Sequence, residues 1–537
     1  MKFNRRLLAP LDQRSTVERL RDGTLTGPLA GWLITLAVTG LAFAIRFVGL
    51  AYPNKILFDE TYYAKDGYAL WKFGYEYNWA DDANDKIASG TPEAFGQGAE
   101  YAVHPPLAKW LIGAGEQLFG MNSFGWRFMS LIFGTLLIFF VIRLARRLSR
   151  STLIGALAGL LLTFDGLEFV MSRLALLDIF QAVFLVAAVS CVVADRDYYR
   201  MRLADILERS GRRDFDGDFG PIVGLRPWRL AAGVMFGAAL SCKWNSIFLL
   251  ATMGVLSVLW DVGARRLAGA GERSWRALLV DGLPAFVRLV VVSAVLYVVS
   301  WAGWLSTSGG YLRDWAQNNP NDPLASGLTS VFGKDIGQAA ASWLHLHAEI
   351  LAFHTGDYMR EQTHPYDAHP AGWLLMLRTI GIDAVNDIQP GVDGCTAPAG
   401  QTCLRVIDGM GTPILWWLAA ASLVFGLVYW LGGRDWRFGV PLVAMLSTYL
   451  PWFANADRPV FFFYTITMVP FTVISLALAL GVILGPADDP RRRRGGIIVG
   501  VVLGLVVADF AYIYPVLTDK LLWHSDWYAR MWLGSWI

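Results

Sequence analysis

The chain has 537 residues, is 55% hydrophobic and only 17% charged, and has a mean hydropathy of +0.41. At this length that balance excludes a soluble globular protein, which needs far more polar surface, and predicts a polytopic membrane protein. The formal net charge of +2 says little, but no stretch reads as a nucleic-acid-binding patch and no Gly-rich nucleotide-phosphate loop is present.

Residues 1–27 form a basic, polar tail assigned to the cytoplasm. The apolar run behind it is too long for a signal-peptide core and lacks a small-x-small cleavage site, so it is read as an uncleaved first helix. Windows of spanning length follow near 28–50, 123–143, 152–172, 174–194, 228–244, 246–262, 283–304, 413–431, 437–453, 459–484 and 496–516. The expectation is an all-α polytopic membrane protein of about 11 transmembrane helices, with residues 28–537 as one catalytic unit. Alternation from a cytoplasmic N-terminus puts 143–150, 196–229, 265–276, 434–437 and 491–494 inside. With the tail these hold about 28 Lys and Arg, against about 15 outside, and the C-terminus is external. Of the inner segments, 195–229 is read as a surface helix and tail. The 23 Trp and 19 Tyr suit repeated crossings of the interface. Two external loops are large, 51–122 and 305–412, and connections of that length are usually functional. Both are expected to carry interfacial helices.

The first loop begins Ile56-Leu57-Phe58-Asp59-Glu60-Thr61-Tyr62-Tyr63. Adjacent carboxylates among apolar and aromatic residues are placed where desolvation raises a carboxylate pKa and makes a better base. If Asp59 caps a helix, Glu60 points about 100° away and only one of the two faces a given substrate. The plainer alternative is an N-cap and a first-turn charge on an interfacial helix. Further on, His104-Pro105-Pro106 stiffens the entry to a second helix with apolar spacing through Leu107, Trp110, Leu111, Ala114 and Leu118. That run is too short to span, so it is expected on or in the outer leaflet.

Charges in or beside the spans come next. Arg127 lies in the second window, Asp165, Glu168, Arg173 and Asp178 surround the turn between the third and fourth, Lys243 ends the fifth, and Arg458 lies between the ninth and tenth. Intramembrane charges are costly, and the assigned topology puts all of these at the external side, where they can share one cavity. Mutual neutralisation, for example Arg173 with Asp178, is the competing account. Arg127 and Arg458 have no obvious partner except Asp457, which suits them to a phosphate. The second loop holds His345, His347, His354, His364 and His369. His345 and Glu349 share a helix face, but no Cys pair or HExxH pattern supports zinc, so neither metal nor cofactor is expected. Cys395 and Cys403, in a short Pro/Gly-rich stretch of an external loop, are expected to form a disulfide.

Taken together, Phe58-Asp59-Glu60, His104-Pro105-Pro106-Leu107-Ala108-Lys109, Trp126-Arg127, Asp165-Gly166-Leu167-Glu168, Met171 to Asp178, Lys243-Trp244, Thr363-His364-Pro365-Tyr366 and Trp373 resemble the protein O-mannosyltransferases. These are C-type, multi-helix glycosyltransferases. The resemblance runs in order over most of the chain. Eukaryotic members carry a β-trefoil in the large external loop. About a hundred residues leave no room for it, so the chain looks like the bacterial type. The run Arg458 to Thr465 meets the family pattern of Arg, aromatics and His only in part.

The resemblance implies transfer of mannose from polyprenyl-phosphate-mannose to Ser or Thr of exported proteins, at the external face of the cell membrane, with acceptors met during export through the translocon. A sugar phosphate leaves without a general acid, so one base suffices where glycosidases use two carboxylates. Asp59 is the expected base in a single inverting displacement, with Glu60 grouped with it at the catalytic position to shape the cavity or orient it. Arg127, His104, Lys243 and Arg458 are expected on the donor phosphate and sugar, and Asp165, Glu168, Arg173, Asp178, His364 and Tyr366 around the cavity or acceptor. Two rivals stand: a C-type transferase with another sugar or a lipid or glycan acceptor, and a lipid-linked-substrate transporter or flippase.

Overall fold

The computed structural model describes residues 15–21 and 27–537. Most of the predicted tail, 1–27, lies outside the described residues. Each apolar window contains helix. Six helical stretches among the described residues are long and apolar enough to cross a membrane: Pro28–Phe47, Ser123–Ser149, Leu177–Arg209, Ser246–Ser300, Pro413–Leu431 and Arg492–Leu517. The fourth is two legs packed side by side, separated by a bend at Gly269, whose φ of 95° is open to glycine but strained for other residues. Shorter apolar helices, Thr152–Thr163 and Val469–Leu484 among them, fill the spaces between.

Burial sorts the helices into centre and rim. The apolar window of Leu177–Arg209 is 83% buried, whereas those of Pro28–Phe47 and Ser246–Ser300 are 22% and 17% buried. A helix apolar all round belongs in the middle, and the poorly buried ones face lipid. Local sequence sets the starts. Pro28 stands at the first turn of its helix, and the Asn122 side chain accepts from the amides of Phe124 and Gly125 at 3.1 and 3.0 Å.

Two corrections to the sequence reading concern the polar parts. The loops are not wholly helical. Strands β1 (Tyr77–Trp79) and β2 (Phe95–Ala99) pair antiparallel in the first loop. In the second, β3 (Ile380–Ile388) pairs with β4 (Cys403–Gly409), and β4 with β5 (Leu522–Trp523) near the C-terminus. The alternation Ile380-Gly381-Ile382 buries every second residue of β3 at its start, a period-two signal too short to stand out among so many apolar helices. The segment 195–229 is a surface segment through its middle, where 208–213 and 216–218 are exposed, but its ends are not. Its helix runs unbroken to Arg209, and Asp195, Arg226, Arg229 and Asp261, all at most 3% exposed, form a closed ion-pair cage with N–O distances of 2.5–3.0 Å.

Cys395 and Cys403 are bonded, with Cα atoms 5.8 Å apart. The bond closes the connection between β3 and β4. Opening it in a Cys395→Ser/Cys403→Ser variant frees a short loop worth about 2–3 kcal/mol of chain entropy. Faster amide exchange confined to β3 and β4, with sugar transfer unchanged, is the expected result.

Candidate active site

Asp59 stands at the start of the helix Glu60–Phe73. Phe58 before it has φ 47°, a left-handed conformation unusual for an aromatic residue and typical of strained functional turns. The turn aims consecutive carboxylates in different directions. Glu60 points inward and is fully buried. Its oxygens accept from the amides of Leu57 at 3.0 Å and Ala175 at 3.1 Å, and from Arg127 Nε and Nη2 at 2.8 and 2.9 Å. Arg127 also donates to the carbonyls of Leu50 (3.4 Å), Pro53 (2.9 Å) and Lys55 (2.9 Å). A guanidinium has five N–H donors, and every one is used. The expectation that Arg127 lacks a partner is therefore corrected. The partner is 67 residues away in sequence, which no local pattern displays.

Asp59, by contrast, makes no capping bond, because its backbone is already helical (φ −70°, ψ −3°). Its half-buried carboxylate has no hydrogen-bond donor among the described residues. The charges that act on it are Lys243 and Asp178. Lys243 Nζ bonds both oxygens of Asp178 at 2.8 Å and lies 4.9 Å from the ring of Tyr464. Burial pushes the Asp59 pKa up to about 6; Lys243 opposes that rise and Asp178 reinforces it. An unbonded carboxylate poised near neutrality is what a general base requires.

Arg458 shares the site, since its charge and that of Asp59 both act on Tyr464. Its sequence neighbour Asp457 is taken by Arg360 at 2.8 Å, and Arg458 makes no ion pair among the described residues. Its Nε is buried with no hydrogen-bond partner. Its charge acts on His104 and His354. The two imidazoles stack with centroids 5.3 Å apart, and Tyr63, one turn beyond Asp59, lies 6.3 Å from His104. Burial, with Lys243, His354, Lys109 and Arg458 around it, holds His104 well below the usual histidine range, which favours the neutral ring. Tyr63, His354, Trp244 and Tyr464 lie at the site, although sequence reasoning gave them no role there. The signals were the four-residue spacing of Tyr63 from Asp59, the histidine cluster of the second loop, and the place of Trp244 and Tyr464 in the motifs with Lys243 and Arg458.

The structure thus brings together Asp59, His104, Asp178, Lys243 and Arg458, and commits Glu60 and Arg127 to the turn that holds Asp59. The remaining candidates are used elsewhere. Asp165 caps Gly166–Met171 and accepts from Trp416 Nε1 at 2.7 Å. Glu168 pairs with Arg46 and accepts from Ser172 Oγ at 2.9 Å. Arg173 donates to the carbonyls of Arg46, Val48 and Gly49 at 2.6–2.8 Å, not to Asp178. Glu168 and Arg173 fasten the end of the first helix to the turn before the fourth, and Asp165 ties that turn to the start of Pro413–Leu431. His364 and Tyr366 lie in a loop pinned to the Arg458 segment by Ala368 N to Val460 O (2.8 Å) and Val460 N to Asp367 Oδ1 (2.9 Å), with His364 edge-on to Phe461. Lys109 is held by Asp66 and Glu76 at 2.9 Å each. Its helix Leu107–Phe119 crosses Glu60–Phe73 where Gly113 meets Gly67. A Cβ at Gly113 would lie 2.4 Å from the Gly67 oxygen, so the crossing needs glycine. His345 stacks on Trp315 at 3.9 Å, and no group of three metal-binding side chains occurs among the described residues.

A raised carboxylate and an arginine without an ion pair among the described residues thus share one site in a helical, multi-span membrane protein. The structure is similar to the Saccharomyces cerevisiae protein O-mannosyltransferase Pmt1–Pmt2 complex bound to the sugar donor, with a TM-score of 0.69 at 14% identity over 97% of this chain and 94% of that one. The dolichyl-phosphate-mannose-protein mannosyltransferase family model matches residues 36–207, and that of the C-terminal four-TMM region of protein-O-mannosyltransferase matches 339–536. The polyprenol-phosphate-mannose–protein mannosyltransferase of Mycolicibacterium smegmatis is 35% identical over 95% of this chain and 94% of its own length. That of Corynebacterium glutamicum is 34% identical over 92% and 91%. The chain belongs to the protein O-mannosyltransferase family.

Proposed function

We propose that the protein transfers mannose from polyprenyl-phosphate-mannose to Ser or Thr hydroxyls of exported polypeptides. The observation that carries the reading is Asp59: a half-buried carboxylate without a donor among the described residues, pushed up to about 6, in one site with Arg458, whose buried Nε has no partner there. Asp59 takes the acceptor proton as the oxygen attacks the anomeric carbon. The phosphate leaves from the opposite side, so the configuration inverts. Arg458 and Lys243 hold that phosphate and stabilise its growing charge. Arg127 and Glu60 act one step back, fixing the turn that aims Asp59.

Residues 28–537 work as one membrane-embedded catalytic unit of about 11 spans, with the N-terminus cytoplasmic and the C-terminus outside. The site then opens on the external face of the cell membrane, where a translocating chain presents its hydroxyls. The positive-inside distribution and the two long polar loops support this orientation. Purified protein in liposomes, given polyprenyl-phosphate-mannose and a Thr-rich peptide, should add one hexose to the peptide by mass spectrometry. A hexose on lipid or glycan instead, or lipid-linked flux without covalent product, would replace this reading by one of its rivals. Arg458→Ala should raise the donor KM about 10- to 100-fold, the worth of a charge-assisted phosphate contact, and leave the peptide KM unchanged.

A further inference from the structure

The helix Lys334–Thr355 of the second external loop carries His347 into a nest of rings. His347 lies 4.0 Å from Trp343, 4.9 Å from Trp301 and 5.7 Å from both Tyr297 and Trp244. Its hydrogen bonds admit one arrangement. The Trp343 carbonyl, 2.7 Å from Nδ1, only accepts, so Nδ1 carries the proton. In the neutral ring Nε2 then accepts from the Tyr297 hydroxyl at 2.8 Å. An indole N–H only donates, and Trp244 Nε1 gives its proton to the Tyr297 oxygen at 2.7 Å. Burial lowers the His347 pKa, which keeps the ring in this form.

Trp244 is the next residue after Lys243, and its ring meets His354 edge-on at 6.3 Å. His354 in turn donates from Nε2 to the Val103 carbonyl at 3.0 Å and stacks on His104. A continuous wall of rings therefore runs from Tyr63, beside the base, to Trp244, beside the phosphate cation. A sugar being handed from phosphate to hydroxyl must occupy the space between those two charges. A pyranose offers a C–H face that packs on aromatic rings and hydroxyls that bond imidazole nitrogens.

Resting on the proposed function of the Asp59 site, we propose that His347 is a positioning residue for sugar transfer. As the Nδ1–H tautomer it fixes Trp244 through Tyr297, and Trp244 with His354 forms the wall against which the donor mannosyl group lies. The relay acts on donor binding and is indifferent to the peptide.

The test uses the whole protein in liposomes. Tyr297→Phe removes one oxygen and breaks both links, and His347→Leu removes the acceptor. Each should raise the donor KM about 5- to 10-fold, with kcat within about twofold and the peptide KM unmoved. The double variant should be no worse than either single change, because one chain is broken once. His347→Gln, whose amide oxygen accepts from Tyr297, should restore the wild-type donor KM. Melting temperatures identify any variant that fails to fold, and Tyr297→Phe, the mildest change, carries the test alone if His347→Leu does so. An unmoved donor KM, multiplying effects, or His347→Gln as impaired as His347→Leu overturns the relay while wild-type transfer stands. A wild-type protein that adds no mannose overturns the functional reading, and the relay with it.

Discussion

Replacing Asp59 by Asn is expected to lower the turnover of mannose transfer by about 10²- to 10⁴-fold, the usual worth of a positioned general base. Donor binding should hardly change, since the amide keeps the shape of the acid. The wild-type rate has a matching pH signature. The base works as a carboxylate, and its pKa is raised to about 6, so turnover falls about tenfold per pH unit below that value and levels off above it. The same shift acts on stability with the opposite sense. Folding raises the pKa of Asp59 from its ordinary 3.8, so the folded protein binds that proton more tightly than the unfolded chain. Ionised Asp59 therefore costs stability above pH 6, and the cost is recovered as pH falls towards 3.8. Asparagine bears no such cost. At neutral pH the variant should be more stable, by up to about 3 kcal/mol, while turning over far more slowly. Normal turnover in Asp59→Asn would remove the base from the mechanism.

Arg127→Ala is expected to be the most damaging change to the fold near the site. It strips Glu60 of two charge-assisted bonds in a fully buried place and frees three backbone carbonyls. Breaking a buried pair from one side costs about 3–5 kcal/mol. Arg127→Lys should restore little of it, because an ammonium cannot reproduce the planar fork. Glu60→Gln/Arg127→Met, which removes both charges, should be milder than Arg127→Ala. A normally stable Arg127→Ala protein with a raised donor KM would return Arg127 to the phosphate.

The apolar helices, the two long loops and the place of Asp59 at a helix start were legible because each leaves a local mark: an apolar window, a polar gap, paired acids among rings. Partnership was not. Arg127 and Glu60 look equally free in sequence, as do Lys243 and Asp178, 65 residues apart. Arg458 looked compromised by Asp457, yet Arg360 reaches across from the other loop to take that acid. Asp165, Glu168 and Arg173 carry the same charges as site residues but are spent on fastening helix ends. Such assignments depend on which helices adjoin, and that is settled by close approaches such as Gly67 against Gly113. The β3–β4 hairpin was hidden for a similar reason, its alternation being brief beside long apolar runs.

The seat of Asp59 also fixes an order of events in biosynthesis. Glu60 leaves the ribosome long before its distant partners do: Arg127 follows 67 residues later and the amide of Ala175 follows 115 residues later. At about 5–20 residues per second the second interval is roughly 6–23 s. Through that time the acid has the Leu57 amide, and later Arg127, but not the Ala175 amide. The reactive carboxylate comes to its final aim only when the turn before the fourth helix has been inserted, so a nascent chain stalled earlier holds all of Asp59's near neighbours in sequence and none of its catalytic geometry.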